Sequence, residues 1–211
     1  METKVERIQR DIETLAQYSQ VQGIGCTRYT YTKEFAQARD YIVQEMKAAG
    51  LSVREDAVGT VIGPMDGKHP SPPLTMTGSH FDTVKTGGRF DGMAGVTAAL
   101  ETARTLHDEG FVPERPIEFV ALPEEEGARF GGGLFASRAM CGKLYHNELE
   151  TYKDSDGVSM AQAMREYGLD PARADEARRE KGEIDMFLEL HIEQGPVLEN
   201  AGKDVGIVEA I

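Results

Sequence analysis

The sequence predicts an α/β domain of three layers, α/β/α, around a mostly parallel core sheet. Three observations carry this. Short apolar runs alternate with segments of helical period. One run, Ile117-Glu-Phe-Val-Ala-Leu122, is almost continuously apolar, as a strand covered on both faces must be. Polar clusters follow directly on three of the runs, and open α/β sheets bind ligands at strand ends.

Residues 4–19 form the first expected helix, because Val5, Ile8, Ile12 and Leu15 recur at intervals of 3–4. A glycine-containing linker, 22–30, follows. Thr32 can cap a second helix whose stripe is Phe35, Ala38, Ile42 and Met46 and whose stop is Gly50. Strands are expected near 51–55 and 60–62, a turn-rich loop at 66–73, and a strand at 74–78. Residues 92–107 read as a helix whose Ala94, Ala98 and Ala99 permit close packing on a sheet. The strand at 116–122 precedes a short helix at 134–140. The polar stretch 145–182 reads as short surface helices, 186–191 as a strand and 205–211 as a last one.

The 211 residues are 40% hydrophobic and 28% charged, enough for a sizeable core. Asp and Glu number 36 against 23 Lys and Arg, a net charge of −13 that disfavours nucleic acid and anionic membrane. No apolar run approaches the roughly 18 residues of a membrane span. The opening METKVERIQRDIE lacks the apolar centre of a signal peptide. Cys26 and Cys141 make no disulfide framework, so the expected compartment is the cytoplasm.

Chemistry concentrates in three clusters. Gly78-Ser79-His80-Phe81-Asp82-Thr83 puts His80 and Asp82 two apart at a strand end, where a carboxylate can fix the tautomer of a ligand histidine. Eleven residues after His80, Asp91 lies between glycines at a helix start. Leu122-Pro123-Glu124-Glu125-Glu126-Gly127 places three carboxylates directly after the buried strand, where their repulsion calls for a cation. Glu189-Leu190-His191-Ile192-Glu193-Gln194-Gly195 repeats the strand-end histidine. Taken singly, His80 reads more readily as a hydrogen-bonded strand-end residue and Asp91 as a helix cap; the glutamate run reads equally as a solvated loop. His69, His107 and His146 carry no such context. Together, two histidines, one aspartate and a glutamate pair are the ligand set of a two-metal hydrolase, with one carboxylate left free as base.

GSHFDT, GGRFDG, PEEEGARF and ELHIEQG resemble the di-zinc amidohydrolases that include N-carbamoyl-L-amino acid hydrolases, allantoate amidohydrolases and β-ureidopropionases. These are relatives of aminoacylases and carboxypeptidase-G-type peptidases. Spacings of 11, 35 and 65 residues separate His80, Asp91, Glu126 and His191. The resemblance implies that His80 and His191 bind one ion, that Asp91 bridges two, and that Glu126 binds the second. It further makes Glu125 the general base, Asp82 the residue orienting His80, and Gln194 a neighbour of the substrate. The cofactor implied is two divalent ions, Zn²⁺ or else Mn²⁺, Co²⁺ or Ni²⁺.

The implied substrate is a small N-carbamoyl or ureido acid, cleaved at its C–N bond. The stretch from Gly127 to Arg138 favours N-carbamoyl-L-amino acids over allantoate. Complete members run to about twice this length and dimerise through a lid domain that also holds the substrate carboxylate. A returning segment supplies the last histidine. Residues 1–211 are therefore expected to be the N-terminal portion of the catalytic domain, ending where the lid would begin. One full-strength metal site and weak or absent activity are expected of such a portion. A non-catalytic metal-binding role is the alternative of another class.

Overall fold

Thr32 stands in extended backbone and its hydroxyl accepts the amide hydrogen of Phe35 at 3.3 Å, which starts a helix as the sequence predicts. The computed structural model describes residues 2–69, 71 and 73–209. The predicted loop at 66–73 is described except for Pro70 and Pro72.

Helix α1 (Val5–Leu15) is shorter than expected. The side chain of Arg28 takes the carbonyls of Leu15 and Tyr18, at 2.8 and 3.2 Å, so the chain turns away there. Helix α2 (Lys33–Ala48) buries Phe35, Ala38, Ile42 and Met46, the predicted stripe, and ends at Gly50 with φ +81°.

Strands β1 (Arg54–Glu55) and β2 (Val61–Met65) come next, then β3 (Leu74–His80), which carries His80 as its last residue. Helix α3 (Met93–Asp108) packs on β3, β4 and α1, and β4 is Ile117–Leu122. Short helices α4 (Phe135–Met140), α5 (Glu148–Thr151) and α6 (Met160–Tyr167) and a 3₁₀ turn (Pro171–Ala177) follow. Helix α6 is more than a surface element: Met160, Ala161, Ala163 and Met164 are buried in the core. Strand β5 is Ile184–Leu188 and α7 is Val197–Asn200.

The sheet order is β1-β2-β4-β3-β5. Strands β3 and β4 run parallel, through Thr75↔Ile117 to His80↔Leu122, so the two predicted core strands lie side by side. Strand β5 is parallel to β3, from Leu74↔Ile184 to Thr77↔Leu188. The other edge is antiparallel, β1 to β2 and β2 to β4, which makes the whole sheet mixed. Helices α2 and α3 pack on the sheet and on each other, and α1 packs on α3. On the other face Glu118 of β4 meets Arg179, just past the 3₁₀ turn, at 2.9 Å and Arg54 at 3.0 Å.

Two expectations at the C-terminal side differ. The strand predicted at 186–191 ends at Leu188, because β3 pairs with it only as far as Thr77. Residues 205–209 of the strand predicted at 205–211 form no strand, since no described strand lies beside them; Ala210 and Ile211 lie outside the described residues. Both cysteines are free. Among the described residues no helix is long and apolar enough to cross a membrane.

Candidate metal centre

The parallel pairing of β4, β3 and β5 brings their C-terminal ends to one edge, and the three predicted clusters meet there. His80 is fully buried, and its Nδ1 faces the main-chain carbonyl of Asp82 at 3.0 Å. His191 Nδ1 faces the carbonyl of Ile192 at 2.9 Å. A carbonyl oxygen only accepts, so each Nδ1 carries the ring hydrogen and each Nε2 of a neutral ring offers a lone pair.

Those lone pairs converge. The two Nε2 atoms are 3.4 Å apart, and Asp91 Oδ1 lies 3.6 Å from His80 Nε2 and 3.3 Å from His191 Nε2. Asp91 Oδ1 is buried and accepts no hydrogen bond from any described residue. Three acceptors facing one another are costly unless a cation sits among them. A tetrahedral zinc with bonds of about 2.0–2.1 Å separates its ligand atoms by about 3.3–3.4 Å. The residues present therefore fit a divalent ion. A second group, His80, Glu125 and Glu126, also brings its ligand atoms within 4.8 Å of one another.

The glutamate run divides. Glu124, at φ +50°, turns inward; its carboxylate accepts the amide of Phe130 at 3.2 Å, and its own amide donates to Thr30 Oγ1 at 3.0 Å. Burial, with Asp82 nearby, pushes its carboxyl up to about 8. Glu125 and Glu126 turn to the site instead, with Glu125 Oε2 at 3.8 Å from His80 Nε2. Burial raises the pKa of both, and neighbouring carboxylates raise it further against the opposing pull of His80. For His80 burial opposes the charged form, but Asp82, Glu125 and Glu126 outweigh it and raise its pKa. The pocket attracts a cation, proton or metal.

Asp82 acts on His80 differently from the sequence expectation. Its main-chain oxygen makes the close contact, and its carboxylate is 3.8 Å from the same nitrogen. That carboxylate accepts the amides of Glu125 at 3.0 Å and Glu126 at 3.2 Å, so Asp82 couples the first motif to the third. Gln194, at φ +58°, donates from its amide to Asp91 Oδ2 at 3.0 Å, which places it beside the cluster of His80, Asp91 and His191.

Sequence reasoning missed two contributors. Ser79 donates to Glu189 Oε1 at 2.5 Å, linking β3 to the ELHIEQG segment. Gln22 to Gly25 of the supposed linker are exposed, but its second half is a buried support: Cys26 bridges to Gly87, Thr27 Oγ1 accepts the amide of Thr86 at 2.8 Å, and Thr30 holds Glu124. Only its burial distinguishes it, and its sequence carries no periodic signal.

The sequence profile of peptidase family M20/M25/M40 matches residues 76–210, which contain His80, Asp82, Asp91, Glu125, Glu126, His191 and Gln194. The N-carbamoyl-L-amino-acid amidohydrolase of Paenarthrobacter aurescens is 47% identical over 208 residues, covering 99% of this chain and 50% of that protein. The allantoate amidohydrolase of Bacillus subtilis (strain 168) is 40% identical over 200 residues, covering 95% and 48%. The crystal structure of AtUAH in complex with glyoxylate superposes with a TM-score of 0.90 at 37% identity, over 96% of this chain and 49% of that one. The chain spans about half the length of the curated relatives it matches. By the profile match over residues 76–210 and by relatives of this identity, the chain belongs to peptidase family M20/M25/M40.

Proposed function

We propose that this chain carries the metal-binding and proton-transferring residues of an amidohydrolase that cleaves the ureido C–N bond of N-carbamoyl-L-amino acids. The observation that carries the reading is the convergence of His80 Nε2, His191 Nε2 and Asp91 Oδ1, three acceptors when both rings are neutral. The names of the relatives support the ureido class. His80, Asp91 and His191 would hold one divalent ion, and Glu126 with Asp91 a second. Such ions supply Lewis acidity to a carbonyl oxygen and acidify a water.

Glu125, part-buried at the rim and near His80, takes a proton from the attacking water and returns it to the leaving nitrogen. Water adds to the ureido carbonyl, the bond to the amino-acid nitrogen breaks, and the carbamate released decomposes to CO₂ and ammonia. Asp82 keeps Glu125 and Glu126 in place through their amides. In an active assembly Glu125→Gln lowers kcat by about 10²–10⁴-fold and leaves metal content unchanged. Loss of metal with it would exchange the roles of Glu125 and Glu126.

Allantoate is the second reading, favoured by the Bacillus subtilis relative. The test is ammonia release from N-carbamoyl-L-methionine and from allantoate, with added Zn²⁺ or Mn²⁺. It is run on this chain alone and with the co-expressed half of the Paenarthrobacter aurescens relative that this chain does not match. Turnover of the carbamoyl substrate only with the second half is expected. Preference for allantoate selects the second reading. Metal binding with no turnover in either case selects a non-catalytic metal-binding role, and robust turnover by the chain alone removes the need for a second half.

A further inference from the structure

Arg28 is fully buried, and among the described residues no carboxylate is in contact with its guanidinium, although the charge of Asp82 acts on it from beyond contact. Its side chain spends its donors on carbonyls and sulfur: Nε to the carbonyl of Phe81 at 2.6 Å, Nη1 to the carbonyls of Leu15 and Tyr18 and to Cys26 Sγ at 3.5 Å, and Nη2 to Met93 Sδ at 3.1 Å. Its main chain is engaged as well, with its amide donating to Thr83 Oγ1 at 2.8 Å and its carbonyl accepting the Thr83 amide at 3.1 Å. An unpaired buried guanidinium is costly, and a helix cap alone could be made by an exposed side chain.

Three of these bonds reach the segment Phe81–Thr83. They grip it on both sides of Asp82. Three features of the site depend on where Asp82 sits: its carbonyl fixes the His80 ring, and its carboxylate holds the amides of Glu125 and Glu126. Phe81 adds a second anchor by stacking on Phe35 with ring centroids 4.2 Å apart. Through Leu15 and Tyr18, Arg28 also ties the loop to the end of α1, a rigid element.

We infer that Arg28 is a positioning residue for the metal ligands, acting through Phe81 and Thr83 on His80 and on the Glu125–Glu126 turn. The inference rests on the metal-binding reading above. The test is the Zn²⁺ dissociation constant of the 211-residue chain, measured by competition with a chromophoric chelator, for wild type, Arg28→Met, Thr83→Val and Arg104→Met. Arg104 serves as control: it bonds Asp11 and Glu45 between α1, α2 and α3, eleven residues along α3 from Met93, so roughly 16 Å from the site end of that helix. Arg28→Met and Thr83→Val are expected to weaken Zn²⁺ about 10–100-fold, the range for residues that orient metal ligands. Arg104→Met should bind as wild type does despite its lower melting temperature.

Wild-type affinity in both Arg28→Met and Thr83→Val overturns the inference. So does an equal loss in Arg104→Met, which would make the effect one of general stability. If Arg28→Met does not fold, Arg28→Lys decides in its place, because it keeps the charge and loses the fork that reaches Phe81, Leu15 and Met93 together, and wild-type affinity in it overturns the inference. A wild-type chain that fails to bind Zn²⁺ overturns the metal reading itself, a distinct result.

Discussion

The Nε2 atoms of His80 and His191 face each other at 3.4 Å, and while both rings are neutral neither has a hydrogen to give the other. Each ring spends its only hydrogen on a carbonyl behind it, of Asp82 and Ile192. The arrangement stores an affinity for a cation in the backbone of two loops, before any ion arrives.

One tight Zn²⁺ per chain should therefore stabilise the fold. At a free ion concentration of 100 times Kd, linkage supplies about 2.7 kcal/mol. For a domain of this size that raises Tm by roughly 5–10 °C. His191→Ala removes one of three ligands and should abolish most of the shift, while a chelator returns wild type to its metal-free Tm. Differential scanning calorimetry with and without Zn²⁺ measures both. Two equally tight ions per chain would contradict the ligand set.

Gly92 is the second test of the pocket. Its φ of +67° lies in the left-handed region, and an added Cβ would come within 2.5 Å of the His80 ring and closer still to its carbonyl. Gly92→Ala must displace His80 or the start of α3. Zn²⁺ affinity should fall by more than about 100-fold, beyond the range of an outer-shell change. A Gly92→Ala protein that binds zinc normally would show that the His80 ring is not the ligand.

Much of this was legible in the sequence, for physical reasons. His80, Asp91 and His191, which the fold brings together, stand out in the sequence because strand ends and tight turns leave a local signature. The Phe35–Met46 stripe and the Thr32 cap were found because helical period and capping are local too. Strand direction was not: apolar pattern marks β2 as a strand but says nothing of its antiparallel partner. The 205–209 stretch reads as strand by composition, yet a strand exists only by pairing. The support from Cys26 to Thr30 escaped because its bonds reach Gly87, Thr86, Thr83 and Glu124, all far along the chain. The inward turn of Glu124 escaped because three adjacent glutamates look alike until backbone geometry separates them.

Away from the site, acid should loosen α1. Glu101 on α3 is buried and accepts from Arg7 at 2.7 Å through both oxygens and from the Lys4 amide at 2.7 Å. Burial alone would raise its pKa, but these partners outweigh it and hold the carboxyl below its ordinary value. A depressed folded pKa means the contribution is complete above the unfolded value, about 4.3, and is lost as pH falls through the folded one. Glu101→Gln should cost about 2 kcal/mol at pH 7, in the range for hydrogen bonds to charged groups. Its penalty should shrink toward zero as pH drops below 4. Urea denaturation of both proteins from pH 7 to pH 3 checks it; a pH-independent difference would assign the loss to packing.

The outer edge of β5 makes the last prediction. Strand β5 pairs with β3 on one side, and among the described residues nothing pairs with the other. Phe187 is 43% exposed and Leu188 54%, so the open edge is apolar as well as unpaired. Unprotected edges of this kind pair with other chains. The 211-residue chain should self-associate as its concentration rises, despite a net charge of −13 that favours dispersion. A lysine on the edge blocks such pairing. Phe187→Lys should therefore sediment as a monomer at concentrations where wild type does not. Because β5 ends at Leu188, before the segment that carries His191, the substitution should leave Zn²⁺ affinity unchanged. Sedimentation velocity across a concentration series reads the first outcome and the chelator competition the second. A monodisperse wild type would show that the edge is protected by some other part of the chain, and a weakened metal site in Phe187→Lys would show that the edge and the ligand loop move together.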